Sequence, residues 1–316
     1  MLNPARALMR SRSDGGREFP TVDAFRDLYT LGWKPRYGEM TMVTGRSGSS
    51  KSTFGLYFAQ ASGLKTLYFS GDMSAFQASV KLACATHHTD IDTMVGLLEG
   101  EGCEGILAAL PTNIDFAFGE ITFAGINRML DAYVELHNEF PDLIVVDNLM
   151  DIQGCLEYDG QMKAMQELHN LNREVGCAVW VMAHATDKGA MGRGTPHEPA
   201  PRSEIKNGMS EKPETILSLA LNPHTSELNV AVVKSRLSKS DPSGRQFVAV
   251  TSVPDQSRFV RHGQPVERGS HVKPASEADA GANEREESQG GGAVRDGLRE
   301  ESPGEGIRRR EVKALW

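Results

Sequence analysis

The chain lacks any uninterrupted apolar run long enough to cross a bilayer, so no membrane association is expected. Residues 1–17 carry basic side chains but no apolar core, and so do not read as a secretory signal. Cysteine is scarce: four in 316 residues, at Cys84, Cys103, Cys155 and Cys177, without metal-ligand spacing. That argues against a zinc module and for reduced thiols in a cytoplasmic protein. An excess of positive charge is also missing. Against 42 Asp and Glu stand 34 Lys and Arg, a net charge of −8. This excludes a simple basic nucleic-acid coat protein. It leaves room for a motor that grips one strand with a few loop cations.

What is there is a soluble globular composition, 39% hydrophobic and 24% charged, and one stretch that carries most of the information. Gly45-Arg46-Ser47-Gly48-Ser49-Ser50-Lys51-Ser52-Thr53 matches the phosphate-binding pattern G-x-x-x-x-G-K-[ST], except that Ser50 stands where the second glycine belongs. Its context fits. Met40–Thr44 is a short strand candidate, and Ser52 to Ala61 has helical spacing at Phe54, Tyr57, Phe58 and Ala61, with Gly63 as the stop. Gly45 and Gly48 let the backbone wrap a phosphate, whose charge is held by successive N–H groups and the helix N-terminus. Lys51 is expected to reach the β/γ-phosphates of ATP, and Ser52 to offer its hydroxyl to Mg²⁺. If residue 50 needs a left-handed backbone, serine costs about 1 kcal/mol relative to glycine and removes no ligand.

The order of elements predicts an α/β fold. Residues 1–18 read as an arm or linker, 19–261 as one domain of alternating strands and helices, and 262–316 as a Gly/Glu/Arg-rich tail without a core. Strands are expected at Leu64–Ser70, Leu143–Val146 and Cys177–Ala183. An amphipathic helix is expected over Phe123–Phe140, and another where Met162, Met165, Leu168 and Leu171 recur. These methionines read as core packing. Three closely spaced strands follow, Thr215–Leu221, Leu228–Lys234 and Gln246–Ser252. Early βα alternation with late hairpin-like strands predicts a mostly parallel central sheet flanked by helices and extended by antiparallel C-terminal strands.

Several polar residues stand at strand ends. Asp72 follows the second strand and is a candidate to polarise the water that attacks the γ-phosphate, or simply to cap the next helix. Asp147 ends Leu143-Ile144-Val145-Val146-Asp147, the Walker-B pattern that delivers a carboxylate to the Mg²⁺ shell. His184 follows Ala178–Ala183 and could sense the γ-phosphate or be a satisfied, partly buried histidine. Lys234 and Arg236 share one face of a strand end by alternation and could reach the ATP of a neighbouring subunit, or form an ordinary solvated end. Lys188, Arg193, Arg202 and Lys206 lie in a long Gly/Pro-rich segment, either a nucleic-acid-channel loop or a mobile surface loop.

Taken in order, these pieces resemble the RecA-like motor domain of replicative hexameric helicases of the DnaB type. Tyr68-Phe69-Ser70-Gly71-Asp72-Met73-Ser74 is similar to that family's FSLEMS segment, with Asp72 in place of its catalytic glutamate. LIVVDNL at 143–149 is similar to its Walker-B strand. His184 falls where the family has a phosphate-sensing polar residue, usually glutamine. Pro201–Gly208 resembles a reduced form of its PRxSDLRESG DNA-binding loop, and Val233–Arg236 its KxR segment. The resemblance covers roughly residues 19–260 and departs at Ser50, Asp72 and His184. It implies a P-loop ATPase with ATP and Mg²⁺ between subunits of a ring, a hexamer by the family's habit, moving on single-stranded or forked DNA during replication in a bacterial or phage-infected cell. It also implies Lys234 and Arg236 acting in trans, and a separate primase or loader. The alternatives are a RecA- or RadA-like recombination ATPase, a low-turnover ATP-binding loading or assembly protein, and a signalling ATPase of the circadian-clock type.

Overall fold

A computed structural model describes residues 16–100, 103–185, 197–205 and 209–269. Among these, nine strands form one sheet: β1 (Met40–Gly45), β2 (Thr66–Ser70), β3 (Ile114–Phe118), β4 (Leu143–Asp147), β5 (Ala178–His184), β6 (Thr215–Asn222), β7 (Glu227–Ser235), β8 (Phe247–Val253) and β9 (Arg258–Arg261). Their order across the sheet is β3-β2-β4-β5-β1-β6-β7-β8-β9. The pairings from β3 through β6 are parallel, and those from β6 to β9 are antiparallel. This is the α/β architecture expected from the sequence.

Six α-helices are described: α1 (Lys51–Ser62), α2 (Ala75–His87), α3 (Ile91–Glu99), α4 (Glu104–Ala108), α5 (Phe123–His137) and α6 (Tyr158–Val175). Each main boundary has a local cause. Ser74 and Gln77 form a capping box at the start of α2, Asp90 caps α3 and Thr122 caps α5. Gly63 and Gly176 end α1 and α6 in the left-handed conformation. Among the described residues no helix is long and apolar enough to cross a membrane.

The parallel strands are apolar on both faces because both faces are covered. On one, Trp33, Phe54, Phe58 and Trp180 interlock, with Phe58 and Trp180 stacked at 4.4 Å and Phe25 against Phe54 at 4.6 Å. On the other, Met40, Met42, Ile144, Val146, Val179 and Val181 meet Met165 and Leu168 of α6. Met165 is fully buried, as the packing reading required. The chain is anchored from Gly16 on: Gly16 N–H donates to Tyr37, Arg17 sits over the Tyr37 ring at 4.5 Å, and Phe19 is buried. At the other end, Gly269 N–H donates to His88.

Candidate nucleotide-binding site

The parallel strands point their C-terminal ends at one edge of the sheet, where open α/β sheets collect ligands. The P-loop leaves β1 there and enters α1. Ser50 has φ 61° and ψ 28°, a left-handed conformation, so the condition that makes serine costly at this position is met. Gly45 is a spatial requirement, since a Cβ there would lie 2.6 Å from the Leu219 carbonyl oxygen. Lys51 is buried, and its ammonium donates to the carbonyls of Gly45 at 3.1 Å and Arg46 at 3.0 Å. His184 is the last residue of β5, level with Gly45 in the parallel register, and its Nδ1 is 3.5 Å from Lys51 Nζ.

Ser52 Oγ donates to Asp147 Oδ1 at 3.0 Å, and the phenol of Tyr68 donates to Asp147 Oδ2 at 2.8 Å. Burial pushes the Asp147 carboxyl up from the usual range; the Tyr68 and Ser52 bonds oppose it, while Asp151 and Asp72 add to it. Asn148 donates its side-chain amide to Asp72 Oδ2 at 3.3 Å and its main-chain N–H to Asp151 Oδ2 at 3.0 Å. Asp72 is exposed, and the cap of α2 is Ser74, so Asp72 is not needed for capping. Asp151 fills the space beside Gly71, where a Cβ would lie 2.7 Å from its carboxylate oxygen. Burial raises its pKa as well.

These residues fit a nucleoside triphosphate with its divalent cation. Among the described residues, no cluster of three His, Cys, Asp or Glu side chains forms a metal cage by itself. Mg²⁺ does not need one, because it binds through one or two protein oxygens together with phosphates and waters. A serine hydroxyl already bonded to a buried carboxylate, beside a lysine and a glycine-rich turn, is such a donor set.

The P-loop is also tied sideways. Arg46 Nη2 pairs with Glu204 Oε2 at 3.0 Å, and its Nη1 donates to the Glu198 carbonyl at 3.3 Å. Those acceptors flank Arg202, whose Nε is 3.4 Å from Ser210 Oγ. The other three cations expected at a nucleic-acid surface, Lys188, Arg193 and Lys206, lie outside the described residues.

Lys234 and Arg236 sit elsewhere. Lys234 pairs in register with Ile216, which is level with Met42, and Arg236 N–H donates to the Glu214 carbonyl beside Met40. Arg236 is thus about 17 Å along β1 from Gly45, at the opposite end of the sheet. The two side chains share a face, as alternation required: Lys234 Nζ donates to the carbonyls of Ser210 and Glu211, and Arg236 Nη2 to those of Glu211 and Lys212. Burial, with Arg236 and Arg202 nearby, lowers the Lys234 pKa to about 8.

No protein-family model matches the chain. The gene 65 protein of Mycobacterium phage L5 is 31% identical over 261 residues, covering 77% of this chain and 93% of the relative. The gene 65 protein of Mycobacterium phage D29 is 30% identical over 229 residues, covering 68% and 96%. The chain belongs to the gene 65 protein family of mycobacteriophages. Among solved structures, one ATPase domain superposes with a TM-score of 0.64 at 12% identity, covering 81% of this chain and 96% of that one. A DnaB-like replicative helicase, solved in a study of its interactions with primase, gives the same score and identity over 81% of this chain and 65% of its own length. The KaiC-like protein PH0186 of Pyrococcus horikoshii OT3 gives 0.50 at 15% identity, covering 77% of this chain and 98% of that one. This gene 65 relative has the RecA-like fold of DnaB-type motor domains, as its motifs implied.

The sequence did not flag Tyr68, Asn148, Asp151, Lys81 or Glu204 as parts of this site. Lys81, lowered in pKa mainly by burial, reaches Thr53 Oγ1 at 3.4 Å from α2. Asn148 and Asp151 carried a readable signal: Asn followed three residues later by Asp is a capping-box spacing. It closes a short 3₁₀ turn at Leu149–Asp151 and brings Asp151 back to the site.

Proposed function

We propose that this chain is the subunit of an ATP-dependent DNA helicase acting in DNA replication. Copies assemble as a ring, a hexamer by analogy with DnaB-type motors, and move on single-stranded DNA. Each subunit binds ATP·Mg²⁺ through residues 45–53 and Asp147. Lys51 and the P-loop N–H groups hold the phosphates, and Ser52 and Asp147 hold the cation side. When bound, Mg²⁺ neutralises charge on the phosphate oxygens. Asp72 orients the attacking water, and His184, beside Lys51, links loss of the γ-phosphate to the neighbouring strand. Arg46 joins the P-loop to the segment bearing Arg202. Arg202, with Lys188, Arg193 and Lys206, supplies the cations for DNA. A separately encoded primase or loader is the expected partner.

The observation that carries this reading is the separation within one chain. The P-loop and Arg236 lie at opposite ends of the sheet, too far apart for Arg236 to serve the nucleotide of its own chain. An arginine finger from a neighbouring copy resolves that separation. The test is strand displacement of a forked duplex with ATP, beside Lys51→Ala. Unwinding by the parent chain and its loss in Lys51→Ala are expected. A parent chain that neither hydrolyses ATP with single-stranded DNA nor unwinds the fork refutes the reading.

A further inference from the structure

Tyr68 belongs to β2, where it pairs with Val145 of β4, and its side chain is fully buried beside the Phe116 ring at 5.4 Å. A buried strand position covered by a helix calls for an apolar side chain, and the ring supplies that. The hydroxyl is surplus to packing and must find an acceptor, because a buried O–H without one is costly. Two acceptors are within reach. The Ser52 carbonyl is 3.4 Å away, and Asp147 Oδ2 is 2.8 Å away. The second is the well-formed bond.

Asp147 is itself only 6% exposed, so its carboxylate relies on protein donors. One oxygen accepts from Ser52 on α1 and the other from Tyr68 on β2. Two donors from two elements fix both the plane and the rotamer of the carboxylate. Ser52 follows Lys51 in the P-loop and would be the donor shared with the cation. Tyr68 reaches the other carboxylate oxygen from β2, so its bond does not compete with the one from Ser52.

We propose that Tyr68 is a positioning residue: its phenol holds Asp147 and, through it, Ser52 in the orientation that receives the nucleotide-bound divalent cation. This rests on the reading of the site as one for ATP·Mg²⁺. Groups that orient a metal ligand from behind typically contribute about 10- to 100-fold in metal affinity. Tyr68→Phe keeps the ring and its contacts and removes the donor alone.

The experiment titrates MgCl₂ into the full chain with a fluorescent, non-hydrolysable ATP analogue, for the parent and for Tyr68→Phe. Binding of the analogue in EDTA is measured for both. The expected result is a Mg²⁺ half-saturation raised about 10-fold or more in Tyr68→Phe, with unchanged affinity in EDTA. Equal half-saturation in the two chains overturns the inference and leaves the ATP·Mg²⁺ reading intact. Loss of binding in EDTA as well as in Mg²⁺ also overturns it, since the phenol would then be holding the fold. A parent chain that binds the analogue with no response to Mg²⁺ overturns both.

Discussion

The two ends of the central sheet hold their charged groups in different ways. At the C-terminal ends of the parallel strands, side chains hold one another: Ser52 and Tyr68 on Asp147, Asn148 on Asp72. At the other end, Lys234 and Arg236 are held mainly by main-chain carbonyls of residues 210–212, with Glu214 at 3.4 Å from Arg236. Carbonyls are neutral acceptors, and the Glu214 carboxylate offsets part of the Arg236 charge. An incoming phosphate offers these cations a stronger, charge-assisted bond. The first end is organised in advance by side-chain contacts, and the second carries positive charge that, on the proposed reading, serves a ligand bound on another copy.

Removing the second end's cation should break this division most sharply. Arg236→Ala is expected to lower single-strand-stimulated ATP turnover by about 10³-fold, the scale of an arginine finger. ATP affinity should stay unchanged, because the P-loop lies at the opposite end. Rate measurements beside equilibrium nucleotide binding check both halves. Intact turnover would remove Arg236 from the mechanism and leave the two ends functionally unrelated.

The next effect separates the carboxylates at the first end. Asp72→Asn should cost about 10²-fold in turnover if Asp72 aligns the attacking water, with nucleotide binding retained. Asp151→Asn, measured under the same conditions, is expected to cost less, because its carboxylate already accepts the Asn148 N–H and packs against Gly71. The reverse order would assign the water to Asp151 and reduce Asp72 to an exposed neighbour.

How much of this was legible in the sequence differs between the two ends. Gly45–Thr53 and the run ending in Asp147 are continuous patterns, because a buried parallel strand must be apolar and its C-terminal end must carry the chemistry. They therefore predicted β1, α1 and β4 to within a residue. β3 was not predicted: Ile114-Asp115-Phe116-Ala117-Phe118 is a short edge strand, mostly half-buried, so its pattern is mixed and shows no clear alternation. The four-residue β9 gave no periodicity to read. Tyr68 was hidden for a different reason. An aromatic in a buried strand looks like packing, and its hydroxyl acquires meaning only when β2 and β4 are side by side.

A smaller effect follows from the Lys234 environment. Burial lowers its pKa from an ordinary value of 10.5 to about 8, so it is charged below pH 8 and neutral above. If its charge serves a neighbour's nucleotide, turnover should fall as pH rises through about 8. Lys234→Arg should flatten that decline, since arginine keeps its proton. Folding stability moves the other way. Between about 8 and 10.5 the unfolded lysine binds the proton that the folded one has lost, so stability rises with pH across that window. A decline in turnover that persists unchanged in Lys234→Arg would assign the titration to another group.

The smallest expected effect lies in the P-loop itself. Ser50 adopts a left-handed backbone and makes no side-chain capping bond to α1, so its Cβ brings a steric cost without a visible return. Replacing it by glycine relieves a cost of about 1–2 kcal/mol, offset in part by the larger entropy of an unfolded glycine, about 0.4–1 kcal/mol. Ser50→Gly should therefore stabilise the chain by up to about 1 kcal/mol, or roughly 2–4 °C in Tm for a domain of this size. Nucleotide affinity should hold, because this position acts through its backbone. Thermal unfolding without ligand measures the effect. An unchanged or lowered Tm would mean that the Ser50 side chain supports the loop. In that case the departure from glycine is part of how this P-loop is built.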